Sequence, residues 1–173
     1  WVADTQNNRV LRFDKASSKV SGANADAVLG QANFSSNSAA ANANGLNQPT
    51  DLTVTNNGTL WVVDSANNRV LKFNAAAQKG NGGNADVVLG QANFNDISGS
   101  VSQSRMNRPY GITIDGNDRL WVADFNNHRV LRFNSASSKT NGANADGVLG
   151  QTSFTANTSG LSQSRMNSPY DIV

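Results

Sequence analysis

Trp121-Val122-Ala123-Asp124, running on through Phe125-Asn126-Asn127-His128 into Arg129-Val130-Leu131-Arg132-Phe133, is the stretch that decides the fold. The same frame stands at Trp61–Phe73 and at Trp1–Phe13, a spacing of 60 residues without a slip. Gly30-Gln31, Gly90-Gln91 and Gly150-Gln151 keep that register, as do Pro49, Pro109 and Pro169. A fixed period of this length means one supersecondary unit repeated, each copy burying its apolar faces against its neighbours.

Within the unit, Tyr110-Gly111-Ile112-Thr113-Ile114 alternates with period two and predicts a strand. Asp115-Gly116-Asn117-Asp118 is a tight turn, because Gly and Asn tolerate positive φ. Leu120–Ala123 and Arg129–Phe133 are the second and third strands, rich in residues that suit a pleated, half-buried surface. A polar stretch leads to Gly147–Gln151, a fourth and outermost strand. Residues 152–167 lack periodicity and form a crossover loop whose interior is anchored by Phe154 and Met166, matched by Phe34 with Leu46 and Phe94 with Met106. Four short antiparallel strands and a crossover make a propeller blade. The missing helical period excludes stacked helices.

Composition narrows the chemistry. The chain has 14 basic and 12 acidic residues, all of the acids Asp, and a formal charge of +2. The basic residues recur singly, once or twice per repeat, so a nucleic-acid partner is disfavoured. There is no cysteine, which excludes disulfides and thiolate metal sites. No apolar run approaches the ~20 residues that cross a bilayer as a helix, so no membrane partner is expected.

Pro-Tyr-Gly-Ile-Thr-Ile-Asp (109–115), Leu-Trp-Val-Ala-Asp (120–124) and Asn-His-Arg-Val-Leu-Arg-Phe (127–133) together resemble the NHL-repeat signature. The frame recurs at 49–73 and in part at 1–13 and 167–173, so the resemblance covers nearly the whole chain. It implies a β-propeller, usually six-bladed. Members of that family include secreted bacterial proteins, RNA- and protein-binding modules and a few metal-dependent lyases. An extracellular, bacterial address follows from the resemblance alone.

The fold class is thus all-β, a single repeat domain over residues 1–173 with repeats 1–60, 61–120 and 121–173. The chain opens on the second strand of one blade without an initiating Met, and Pro169-Tyr170-Asp171-Ile172-Val173 reads as the first strand of another. It therefore reads as a piece of a longer repeat array or as half of a ring. Propellers close with about four to eight blades, so two chains would make a six-bladed homodimer in which residues 169–173 complete the blade begun at Trp1 of a partner. A closed pairing also removes exposed strand edges.

Candidate residues fall into two groups. Asp4, Asp64 and Asp124 with Arg9, Arg69 and Arg129 recur in every blade and read as structural, the Asp capping its turn and pairing with Arg. Asp26, Asp86 and Asp146 read as surface-turn residues. The positions that differ between repeats are the recognition candidates. Gly111 obeys the family pattern, whereas Asp51 and Asp171 replace it on the innermost strand; in a closed dimer their four carboxylates would face one pore, a candidate Ca²⁺ or cation site. Without that role they form a hydrated channel wall. Tyr110 and Tyr170 (Thr50 in the other copy), with Arg105 and Arg165 (Gly45 in the other copy), could line a disc face, and Tyr and Arg are the types that anchor interfaces. The two arginines could equally tie down the crossover loop.

His128 is the single histidine and replaces Asn8 and Asn68 in a turn, reading as a neutral surface residue. The lyase branch of the resembling family uses several histidines. With one His, no Cys and no Glu, acid–base or nucleophilic chemistry would rest on Asp alone. The reading is a non-catalytic binding or scaffold module for an unidentified protein, peptide or glycan. A purely structural, self-assembling piece is the alternative, and a metal-dependent lyase or hydrolase is third.

Overall fold

A computed structural model describes residues 1–173. Eleven strands form three antiparallel sheets in chain order. The first sheet holds β1 (Val2–Asp4), β2 (Arg9–Arg12) and β3 (Ala27–Leu29). The second holds β4 (Pro49–Val54), β5 (Leu60–Asp64), β6 (Arg69–Phe73) and β7 (Val87–Leu89). The third holds β8 (Pro109–Ile114), β9 (Leu120–Asp124), β10 (Arg129–Phe133) and β11 (Gly147–Leu149). Each sheet is a simple meander, with registers such as Trp61↔Lys72 and Trp121↔Arg132 recurring one repeat apart. Two sheets have four strands and the first has three. Residues 169–173 run beside β8 without a ladder of their own.

The turn between the second and third strands is one turn of 3-10 helix, closed by Asn8, Asn68 and His128 at φ of 52°, 56° and 53°. Asn tolerates this left-handed conformation because its short polar side chain can bond locally. Gly90 needs its missing side chain for two reasons. Its φ is 86°, and a Cβ there would lie 2.9 Å from the Asn68 carbonyl oxygen and 3.1 Å from Met106.

The core lies between blades. Leu29 and Leu46 from the first repeat pack on Leu60, Leu71 and Phe73 of the second. Trp61, Leu89 and Met106 pack on Leu120, Leu131 and Phe133 of the third. Every blade thus carries two apolar faces, which is why its second strand reads as a continuous apolar run, Leu60–Val63 and Leu120–Ala123. The crossover loop straddles its blade: Met106 joins one cluster while Phe94 packs against the other. The paired anchors read from sequence therefore grip opposite faces of the blade.

Two faces stay open. On the first blade Leu11 and Phe13 line a hollow of about 510 Å³ with Ala25 and Phe34. On the third blade Leu149 is 50% exposed, where Leu29 and Leu89 are at 0%.

Candidate functional site

The Asp–Arg pairs of the second and third blades are among the most buried polar groups of the chain. Arg69 Nε donates to Asp64 Oδ2 at 2.6 Å and Arg129 Nε to Asp124 Oδ2 at 2.7 Å, with all four side chains at 0% exposure. The Asp does not cap its own 3-10 turn, which has no side-chain cap. Its Oδ1 instead accepts the N–H of Asn47 or Asn107, in the loop arriving from the previous blade. The Asp φ near −100° and ψ near 75° are those of a strand end, not of a capping residue. The guanidinium then takes carbonyls from both flanking loops. Arg129 reaches Ser102 and Arg105 on the incoming loop and Phe154 on the outgoing one. Arg69 does the same with Asn42, Gly45 and Phe94. Burial pushes the Asp64 and Asp124 carboxyls upward, against the pull of the paired Arg and of the Asn donors.

The pair in the first blade differs. Arg9 and Asp4 bond at 2.7 Å but keep 18% and 25% exposure. Arg9 has its outgoing carbonyl, Phe34, and lacks the two incoming ones.

At the innermost strands the structure brings Asp51 against the next blade. Asp51 Oδ2 accepts the N–H of Ile112 and Oδ1 that of Leu52, both at 2.8 Å. Half-burial raises its carboxyl, the two N–H donors oppose this, and the charge of Asp171 raises it further. Asp171 repeats half of the arrangement, accepting Ile172 N–H at 2.8 Å. Between them stands Gly111, where a Cβ would lie 2.6 Å from Asp171 Cα. The glycine is a matter of strand-to-strand approach. No group of three or more His, Cys, Asp or Glu converges anywhere in the chain.

Tyr110 and Tyr170 meet at 4.6 Å between ring centroids, and Phe125 joins Tyr110 at 4.9 Å. Sequence reading missed Phe125, although it stands where Thr5 and Ser65 do in the other repeats. The register Pro109↔Asp124 places this aromatic cluster on the disc face opposite the Asp115–Asp118 turn. Arg105 and Arg165 are not drawn to the tyrosines. Arg105 pairs with Asp96 at 2.6 Å and Gln91 at 2.7 Å, and Arg165 donates to the Thr158 carbonyl at 3.2 Å, all within their own crossover loops. His128 Nδ1 accepts the Ser168 N–H at 3.0 Å, the role that Asn8 and Asn68 fill for Gln48 and Arg108. Asp26, Asp86 and Asp146 each accept the N–H at the end of the third strand and pair with Lys19, Lys79 and Lys139.

Asp115 orders the turn opposite. Desolvation pulls its carboxyl up, but Arg119, the N–H groups of Asn117 and Arg119 and the Trp121 indole outweigh it and hold it at about 2. Because the folded value lies below the unfolded 3.8, this stabilisation is complete above that pH and lost as pH falls towards 2. Asp26, held down first by Lys19, shifts in the same sense. Acid titration followed by Trp fluorescence should show stability falling across this window. Asp115→Asn should be less stable at neutral pH and flatter below it; a slope equal to that of the parent chain would contradict the assignment.

A family model described as the SMP-30/gluconolactonase/LRE-like region matches residues 32–142, more than half of the chain. A search of curated proteins finds no match.

Proposed function

The chain belongs to the SMP-30/gluconolactonase/LRE-like family of six-bladed propellers, and we propose that it is a non-catalytic binding propeller whose ring closes from two copies of this chain. Its blades are NHL-type repeats, and its recognition surface is the disc face carrying Tyr110, Phe125 and Tyr170.

One observation carries the closure. The open faces are the two halves of an interface the chain already makes twice. Leu149 and Met166 occupy the positions of Leu89 and Met106, and Leu11 and Phe13 those of Leu71 and Phe73. Placed by the repeat, a second copy fills the 510 Å³ hollow with Leu149 and Met166. It brings the Ser162 and Arg165 carbonyls to Arg9, as Ser102 and Arg105 come to Arg129. Asn167 N–H then reaches Asp4, as Asn107 reaches Asp124. The contact is head-to-tail, and because three blades span half of a six-bladed ring, two copies related by a two-fold axis close it.

The non-catalytic part rests on how the titratable groups are spent. Asp51 already holds two backbone N–H groups and His128 one. The family includes lactonases, and hydrolysis is the competing reading; Ca²⁺-dependent turnover of a lactone, abolished by Asp51→Asn, would establish it. Assembly is tested by the mass of the 173-residue chain across a dilution series. The expected species has twice the 18.2 kDa of one chain. A folded monomer at all concentrations, or a ladder of higher masses, overturns the ring.

A further inference from the structure

We propose that the cleft between the Thr55–Thr59 and Asp115–Asp118 turns binds a neutral, hydroxyl-rich ligand of the size of a sugar ring. The cleft holds about 530 Å³, inside the range of roughly 300–1,000 Å³ of small-ligand sites. It lies on the disc face away from the aromatic cluster, since Val54 pairs with Leu60 and Pro49 with Asp64. Both walls come from one chain, so the site does not depend on ring closure.

The pointer to a ligand is Trp61. In the third blade, Trp121 Nε1 donates to Asp115 Oδ2 at 3.3 Å. In the second blade Thr55 stands where Asp115 would, and its hydroxyl is engaged with Asn57 and Thr59. Trp61 lines the cleft, is 1% exposed, and its indole N–H has no acceptor in the protein. An indole N–H that lines the cleft without a protein acceptor is free to give its hydrogen bond to a ligand oxygen.

The rest of the lining decides the class. Val54 and Ile114 give the floor a small apolar surface, while Asn56 presents an unpaired amide and Ser137 a hydroxyl at the rim. The two carboxylates are already compensated. Asp115 pairs with Arg119, and Asp118 holds the Ser137 N–H and hydroxyl and faces the charge of Lys72. No net charge remains to reward an ionic ligand. Neutral hydroxyls match what is left: an acceptor for Trp61, a donor for Asp118 and either role for Asn56.

The test is the indole region of the ¹⁵N-labelled chain, titrated with glycerol, D-glucose and cellotriose, the Trp61 signal being identified with Trp61→Phe. The expected result is a saturable shift of the Trp61 N–H while that of Trp121 stays in place. Response to cellotriose alone assigns the site to a glycan chain, and response to glucose as well assigns it to a single ring. Thr55→Asp supplies the acceptor from within, as the third blade does, and should weaken binding about ten-fold, the worth of one hydrogen bond. Its folding is supported by the same Asp–Trp pair already standing at 115 and 121. An unmoved Trp61 signal with all three probes, or unchanged binding in Thr55→Asp, overturns the proposal.

Discussion

Arg129→Ala lowers the stability of the fold by about 3–5 kcal/mol, read as a drop in the urea midpoint. The side chain is at 0% exposure and makes one ionic and three carbonyl contacts. Its removal leaves Asp124 charged and buried with only the Asn107 and Asn127 donors. It also strands the carbonyls of Ser102, Arg105 and Phe154. A whole domain has only about 5–15 kcal/mol, so a large part of the population unfolds. Arg129→Lys does not rescue it, because one ammonium cannot span both loops. Arg9→Ala is the informative partner. In a single chain the pair is partly exposed, and its loss should cost about 1 kcal/mol or less. In the closed ring the same change would approach the cost of Arg129→Ala and shift the chain to monomer. An Arg129→Ala variant within 1 kcal/mol of the parent chain would show that these pairs are ornamental.

Phe73→Ala should cost about 3–5 kcal/mol. Its ring is 1% exposed and packs among Leu29, Leu46 and Leu71, in a space that rigid sheets on either side keep from collapsing. Phe13 is the same residue one repeat earlier, lining the open hollow. At concentrations too low for association Phe13→Ala should leave the unfolding midpoint nearly unchanged. At high concentration it should abolish the species of twice the chain mass, measured by light scattering. Equal destabilisation of the dilute monomer by both changes would mean that the Phe13 face is covered from within the chain.

Much of this was legible because the repeat speaks three times. The strands up to Leu149, the meander order and the Asp–Arg pairing follow from strand patterning held in a 60-residue frame, whereas residues 169–173, expected as a strand, lie beside β8 without pairing. What stayed hidden was partner choice across blades. Nothing local to Asp64 says that its second oxygen takes the N–H of Asn47, 17 residues earlier. His128 looked like a surface residue because the acceptor role of Asn8 and Asn68 appears only when the next loop is folded over them. Arg105 and Arg165 differ between repeats and so resembled recognition residues, yet both bond within their own loops. Phe125 could have been found by the same comparison of repeats that singled out Tyr110.

The two-loop grip of each arginine has a consequence for how the molecule comes apart. A blade that unfolds releases carbonyls held by its own guanidinium and deprives the next guanidinium of its incoming loop. Damage at one blade is therefore passed to its neighbour as an unmet cation, and fraying one blade at a time becomes expensive. In a nearest-neighbour description the coupling outweighs the intrinsic stability of each unit. In the single chain, amide exchange would then report one common opening for the second and third blades, with the first blade, whose arginine lacks its incoming loop there, exchanging early.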